Sequence, residues 1–230
     1  MVVSLHMGWR HLLFANWPVN PALVEPAVPS AVTLETFDGM AWLSVVPFTN
    51  VDVRPRVAPA GTGIALPELN LRTYVSHDGS PGVYFFSLDT DSVLATFGAR
   101  VFHYLPYYYA SIDFVTRAGR VHFQSRRRHP GARPVHFRAS YEPTGTAFHA
   151  VPGTLARFLT DRRRYYTEAP DGTLRYADID HKRWPLYDVD VTLGENTLFE
   201  ANGFATPDGE PVYLYSPGVD TVASRSKRAE

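Results

Sequence analysis

Glycine-containing turns punctuate this 230-residue chain at intervals, and they constrain its fold more than any other feature. Asp38-Gly39, Asp78-Gly79, Ala118-Gly119, Asp171-Gly172 and Asp208-Gly209 separate short runs rich in Val, Tyr, Phe and Thr, such as Ala41 to Phe48 and Val83 to Leu88. Dipeptides of this kind supply the positive φ that a tight hairpin turn needs, so the rhythm predicts antiparallel hairpins. With 45% hydrophobic and 13% aromatic residues the chain can bury a sizeable core, which excludes global disorder. The expectation is one mainly β domain over residues 1–220 and a frayed charged tail over 221–230.

Three stretches read as helix. Val93, Leu94, Phe97, Val101 and Tyr104 fall at helical spacing and predict a helix from Asp91 to Tyr104, with Asp89, Thr90 or Asp91 as cap. Leu155, Phe158 and Leu159 predict a second near Pro152 to Arg163, and a short one fits Pro21 to Val28. Arg54 to Gly63, with two Pro and two Gly, reads as a connecting loop, and Ser216 to Glu230 as a loop running into the tail.

Charge narrows the function classes. The net charge of −1 gives no long-range attraction to nucleic acid or to an anionic membrane. Arg126-Arg127-Arg128 and Arg162-Arg163-Arg164 read as solvated or dipole-complementing arginines at element ends rather than as phosphate grips. No cysteine is present, which removes disulfides, thiolate metal sites and cysteine nucleophiles. The apolar runs of Met1 to Asn16 are too short for a secretory segment or a membrane span, so a cytoplasmic location is expected.

The segment Pro67 to Val75 carries the best clue to chemistry. In a strand, Glu68, Asn70, Arg72 and Tyr74 share one face while Leu69, Leu71, Thr73 and Val75 share the other. That polar stripe is either the solvated outer face of a sheet or the lining of a barrel interior. Val83 to Asp89, the next run, is apolar on both faces and wants cover on both, which favours enclosure.

Several motifs together resemble one family: Leu12 to Val19 (LLFANWPV), Phe37-Asp38-Gly39 with Val46-Pro47-Phe48, Pro67 to Val75 (PELNLRTYV), Phe85 to Asp89 (FFSLD), Leu105-Pro106-Tyr107, Trp184-Pro185-Leu186 and Ser216 to Val219 (SPGV). In this order, spread over nearly the whole chain, they resemble the uncharacterised YqjF-like bacterial proteins, domain of unknown function 2071, of the acetoacetate decarboxylase-like superfamily. The resemblance implies a closed, cone-like antiparallel β-barrel with an internal cavity and two or three flanking helices. It also implies that Glu68 is the counterpart of the superfamily's cavity glutamate. In the decarboxylases a helix leads into a Gly-x-Pro-Lys-Lys segment whose first lysine forms a Schiff base; here Leu105-Pro106-Tyr107-Tyr108 stands in that place. A phenol cannot form an iminium, so the resemblance does not carry the covalent mechanism across. Lys182, beside Arg183, lies in a different segment.

The expected site is therefore Glu68 as acid/base and Arg72 as anion clamp, with Asn70, Tyr74, Tyr107 and Tyr109 as ligand contacts. For Tyr107 and Tyr109 the plainer alternative is packing at a strand start. His122 and His136 would face each other across a hairpin centred near His129, but with no third ligand they predict no metal site. No phosphate loop, nucleophile elbow or His-Glu metal helix appears, and no cofactor is expected. The partner expected is a small-molecule ligand or substrate, not nucleic acid or membrane, with a homo-oligomer left open. Two readings stand: a barrel that acts on a small carbonyl or carboxylate compound without a covalent lysine, or a non-catalytic binding or sensing module. A scaffold role is a third.

Overall fold

The structure, a computed structural model, describes residues 4–229; residues 1–3 and 230, the outermost ends of the expected domain and tail, lie outside the described part. The chain runs through β1 (Leu5–Val19), α1 (Pro21–Val24), β2 (Thr33–Leu34), β3 (Ala41–Pro55), β4 (Ile64–His77), β5 (Ser80–Thr90) and α2 (Val93–Phe102). It continues through β6 (Tyr107–Arg117), β7 (Arg120–Arg127), β8 (His136–Phe148), α3 (Leu155–Thr160), β9 (Arg164–Glu168) and β10 (Leu174–His181). The last elements are β11 (Leu186–Asn196), α4 (Leu198–Ala201), β12 (Val212–Ala223) and β13 (Lys227–Arg228).

Turn chemistry sets the register of the hairpins. Asp78 and Gly79 take φ of 47° and 72° between the paired His77 and Ser80, and Ala118 and Gly119 take 49° and 86° between Arg117 and Arg120. Two residues in the left-handed region match the twist of the flanking strands.

Strand pairing closes on itself twice. β5, β4, β3, β1 and β12 form a wall; β9 and β10 join its two ends on one side, and β6, β7, β8 and β11 join them on the other. The sheet is mainly antiparallel, but β5 pairs in parallel with β6 and with β9. The first exception has a direct cause: α2 carries the chain back from the end of β5 to start β6 in the same direction, as a parallel pair requires. No helix among the described residues is long and apolar enough to cross a membrane.

Period-two alternation gives each face of the wall its own core. Leu13, Ala15, Leu43, Val45, Leu69 and Leu71 pack against Val121, Phe123, Phe137 and Tyr141. Their chain neighbours Leu12, Phe14, Val46 and Phe48 pack on the other face with Trp184 and Leu214, continuous in the strands with Trp42, Tyr74 and Leu88, which meet Tyr165, Ala177 and Ile179. Burial of these aliphatic and aromatic side chains, about 1.5–3 kcal/mol each, is the main force holding the wall together.

Four sequence expectations are corrected. The C-terminal stretch does not fray at 221: Thr221 and Ala223 are buried in β12, which pairs with both β1 and β10, and Lys227–Arg228 adds a further strand on β10. The β7–β8 hairpin places His122 opposite Ser140 and His136 opposite Arg126, because burying Val121, Phe123 and Ser125 against Tyr141, Ala139 and Phe137 sets the register. Four residues of the arginine runs are bound up in ion pairs, Arg127 with Asp89, Arg162 with Glu35, Arg163 with Asp161 and Asp180, and Arg164 with Asp178, whereas Arg126 and Arg128 are exposed as expected. Finally, α2 is capped by Ser92, whose Oγ accepts from the Ala95 N–H at 3.2 Å, and its apolar stripe faces solvent.

Candidate functional site

The polar stripe of β4 faces the side closed by β9 and β10. Register places Phe48 beside Glu68, Val46 beside Asn70 and Ser44 beside Arg72 on β3, with Thr90 beside Glu68 and Leu88 beside Asn70 on β5. A bulge between Leu71 and Arg72 in the β4–β5 ladder brings Phe85 opposite Arg72. Glu68 and Asn70 are buried and Arg72 is half-buried, so the half-solvated alternative is not what the structure shows.

Three donors converge on the Glu68 carboxylate. Tyr107 Oη donates to Oε2 at 2.7 Å, Asn50 Nδ2 to Oε2 at 3.3 Å and Asn70 Nδ2 to Oε1 at 3.3 Å. Burial pushes the Glu68 carboxyl above the ordinary glutamate value, and these hydrogen bonds with the nearby Arg72 charge only partly offset it. Tyr107 is itself pushed well above the usual phenol value, by burial first and by Glu68 second, so it stays protonated and donates.

Arg72 is held by a different set of groups. Its Nη2 donates to the Leu159 carbonyl at 3.3 Å, and its guanidinium lies 5.6 Å from the Phe14 ring centroid and 5.9 Å from that of Tyr74. It forms no salt bridge with Glu68 or with any other carboxylate among the described residues. Its Nε is buried without a hydrogen-bond partner, as are Asn70 Oδ1 and Thr90 Oγ1 on the same face. An unsatisfied buried polar atom costs about 1–3 kcal/mol, which makes this set the chemically unfinished part of the interior.

The remaining expected residues divide. Tyr74 lies fully buried, and its hydroxyl is engaged by Ser44 Oγ at 2.7 Å and the Leu159 carbonyl at 2.8 Å; it anchors α3. Tyr109 uses its backbone N–H, which donates to His129 Nδ1 at 3.2 Å, and is not a partner of Glu68. Asn50 and Thr90 are not among the site residues expected from the sequence, although Asn50 follows Phe48 by two residues and so shares its face.

A cavity of about 10 Å³ lies beside α3, among His149, Arg157, Thr160, Asp161 and Trp184, and a surface groove of about 500 Å³ runs along Glu25 to Leu34; neither includes Glu68, Asn70 or Arg72. Large aromatics line this side of the wall: Trp184 stacks on Trp9 at 5.8 Å and meets Phe14 edge-on at 5.5 Å.

A family model described as an uncharacterized conserved protein, domain of unknown function 2071, matches residues 6–220. The uncharacterized protein YqjF of Bacillus subtilis (strain 168) is 39% identical over 219 residues, covering 95% of this chain and 89% of that protein. Among solved structures, an acetoacetate decarboxylase-like enzyme from Sphingomonas wittichii RW1 superposes with a TM-score of 0.67 at 16% identity, covering 100% of this chain and 94% of that one. The enduracididine biosynthesis enzyme MppR, complexed with pyruvate, gives 0.66 at 13% over 99% and 91%. The acetoacetate decarboxylase of Legionella pneumophila gives 0.64 at 12% over 100% and 88%. At these identities the likeness is one of fold, acetoacetate decarboxylase-like and closed in its strand pairing.

Proposed function

We propose, from the premise that the chain belongs to the uncharacterised family of domain of unknown function 2071, that it is a small-molecule-binding β-barrel. Its ligand in this reading is a small carbonyl or carboxylate compound held between Glu68 and Arg72. One observation carries the reading: a half-buried guanidinium with a buried, unpartnered Nε and no carboxylate partner among the described residues, next to an unsatisfied Asn70 Oδ1 and a carboxyl whose pKa is raised. A ligand carboxylate satisfies Arg72, and a carbonyl or hydroxyl of the same ligand is directed to Asn70 and Glu68 along the stripe. That MppR is complexed with pyruvate, a small keto acid, supports the ligand class.

The chemistry proposed is non-covalent. Lys182 is exposed, and Lys227 pairs with Asp178 at 3.2 Å. Tyr107, in the position that resembles that of the Schiff-base lysine, holds Glu68 by a hydrogen bond. A protonated Glu68 can lend its proton to a bound carbonyl oxygen, with Tyr107 and Asn50 fixing its orientation. The competing reading, a non-catalytic binding module, is favoured by the three donors that already occupy both Glu68 oxygens.

A thermal-shift and calorimetric titration with keto acids, beginning with pyruvate, and with aromatic acids tests the site. A ligand that binds only the folded state raises the melting temperature by mass action. Arg72→Met is expected to weaken binding at least ~10-fold, a loss of about 1.4 kcal/mol, without losing the fold. Equal binding by Arg72→Met, or no shift of the wild type with any acid, would sink the assignment. Turnover of a bound keto acid separates the enzyme from the binding module.

A further inference from the structure

α2 is built inside out. On the side of its one buried residue, Thr96, its only apolar side chains are those of Ala95 and Ala99, while its large apolar side chains point to solvent. Leu94 is 85% and Phe97 66% exposed, with Val93, Val101 and Phe102 also exposed. At about 100° per residue, Val93, Phe97, Val101, Leu94, Gly98 and Phe102 follow one another around one half of the helix. An amphipathic helix normally turns that stripe to its own core.

The exposed half is uncharged. The single ionisable side chain of α2, Arg100, lies outside that half and meets His129 Nε2 at 2.9 Å and the Tyr108 ring at 5.4 Å. A surface without charge is complementary to itself, since a two-fold axis sets no like charges against each other. Such a face offers nothing to a partner that is recognised by its charge.

Size and shape fit the same occupant. Five side chains of this kind expose on the order of 500 Å² as one patch, near the upper end of what a soluble monomer shows. Two copies packed through it remove on the order of 1,000 Å², which reaches the lower bound for a specific interface. At Gly98 an added Cβ would meet nothing within 4 Å, so a second helix can approach the backbone closely there.

We propose that α2 is a homodimer interface, in which the α2 helices of two copies cross at Gly98 on a two-fold axis. The arrangement also stands next to the candidate site, because α2 leads through Leu105-Pro106 directly into Tyr107. This inference does not depend on the ligand proposed above.

Sedimentation equilibrium tests it. The wild type is expected to dimerise at micromolar concentration, and Phe97→Glu and Phe97→Lys each to weaken the dimer at least ~100-fold. Both residues replace an exposed side chain, so melting temperature and circular dichroism should be unchanged. Mixing the two variants one to one should restore a heterodimer, which only contact between α2 and its own copy explains. A wild type that stays monomeric up to about 100 µM, or a dimer that survives both substitutions, overturns the proposal. So does a monomer that binds phosphatidylcholine–phosphatidylglycerol vesicles through Phe97, which would make the helix a lipid contact.

Discussion

Tyr107 and Tyr108 are neighbours in the chain and serve opposite faces of one wall. The hydroxyl of Tyr107 donates to Glu68 at 2.7 Å, while the ring of Tyr108 lies 4.1 Å from the Arg127 guanidinium, which is itself locked on Asp89. The alternation of strand side chains thus fastens the start of β6 to both cores.

Tyr107→Phe deletes the shortest hydrogen bond to Glu68. Loss of a donor to the ionised form raises the Glu68 pKa further and costs about 1–2 kcal/mol of stability. Carboxyl NMR titration and urea unfolding read the two effects, and a fall in the Glu68 pKa would show that the phenol is not its donor.

Binding of pyruvate is expected to weaken as pH rises. Below its raised pKa Glu68 is neutral and Arg72 is the net charge of the stripe; above it Glu68 ionises and repels a carboxylate ligand. Calorimetry across pH should show that slope in the wild type and a flat profile in Glu68→Gln. Parallel profiles would place the titrating group elsewhere.

Arg127 and Asp89 form a bidentate pair at 2.7 and 3.2 Å with almost no exposure. Arg127→Met strands a buried carboxylate and should cost about 3–5 kcal/mol, most of it recovered in the double variant Asp89→Leu/Arg127→Met. Burial pushes Asp89 up to about 6 from 3.8. A proton held more tightly in the folded state stabilises fully below pH 3.8 and ceases to do so as pH rises through about 6. Unfolding free energy measured from pH 3 to 7 should therefore fall relative to the double variant across that window. A constant difference would show that Asp89 titrates normally.

Gly218 has φ of 121°, and a Cβ there would lie 1.8 Å from the Trp9 carbonyl oxygen, across the β1–β12 pairing of Arg10 with Gly218. Gly218→Ala is expected to cost more than about 3 kcal/mol by combined backbone strain and displacement of β1. Denaturant unfolding within about 1 kcal/mol of the wild type would mean that the strands can part there without loss.

Local periodicity made much of this legible. The alternation of Glu68, Asn70 and Arg72 fixed their common face, and Asp78-Gly79 fixed the turn that returns β5 along it. Distant partners were not legible: Arg127 finds Asp89 across 38 residues, and the β7–β8 register follows from which core Phe123 and Phe137 enter. The spacing of Leu94, Phe97 and Val101 specified a helix and one apolar side, but spacing alone cannot say whether that side meets the chain's own sheet or another surface. The interior likewise reads as polar along β4, while the aromatics that line it, Trp9 and Phe14 on β1 and Trp184 just before β11, come from two distant segments.

The wall built of β5, β4, β3, β1 and β12 belongs to two closed circuits at once, and from Leu12 to Ala15 in β1, from Trp42 to Phe48 in β3 and from Glu68 to Tyr74 in β4 the even-numbered core residues named here face one circuit and the odd-numbered ones the other. Mutational drift can therefore rewrite the polar lining of one compartment at every second codon while the opposite compartment keeps its hydrocarbon lining intact.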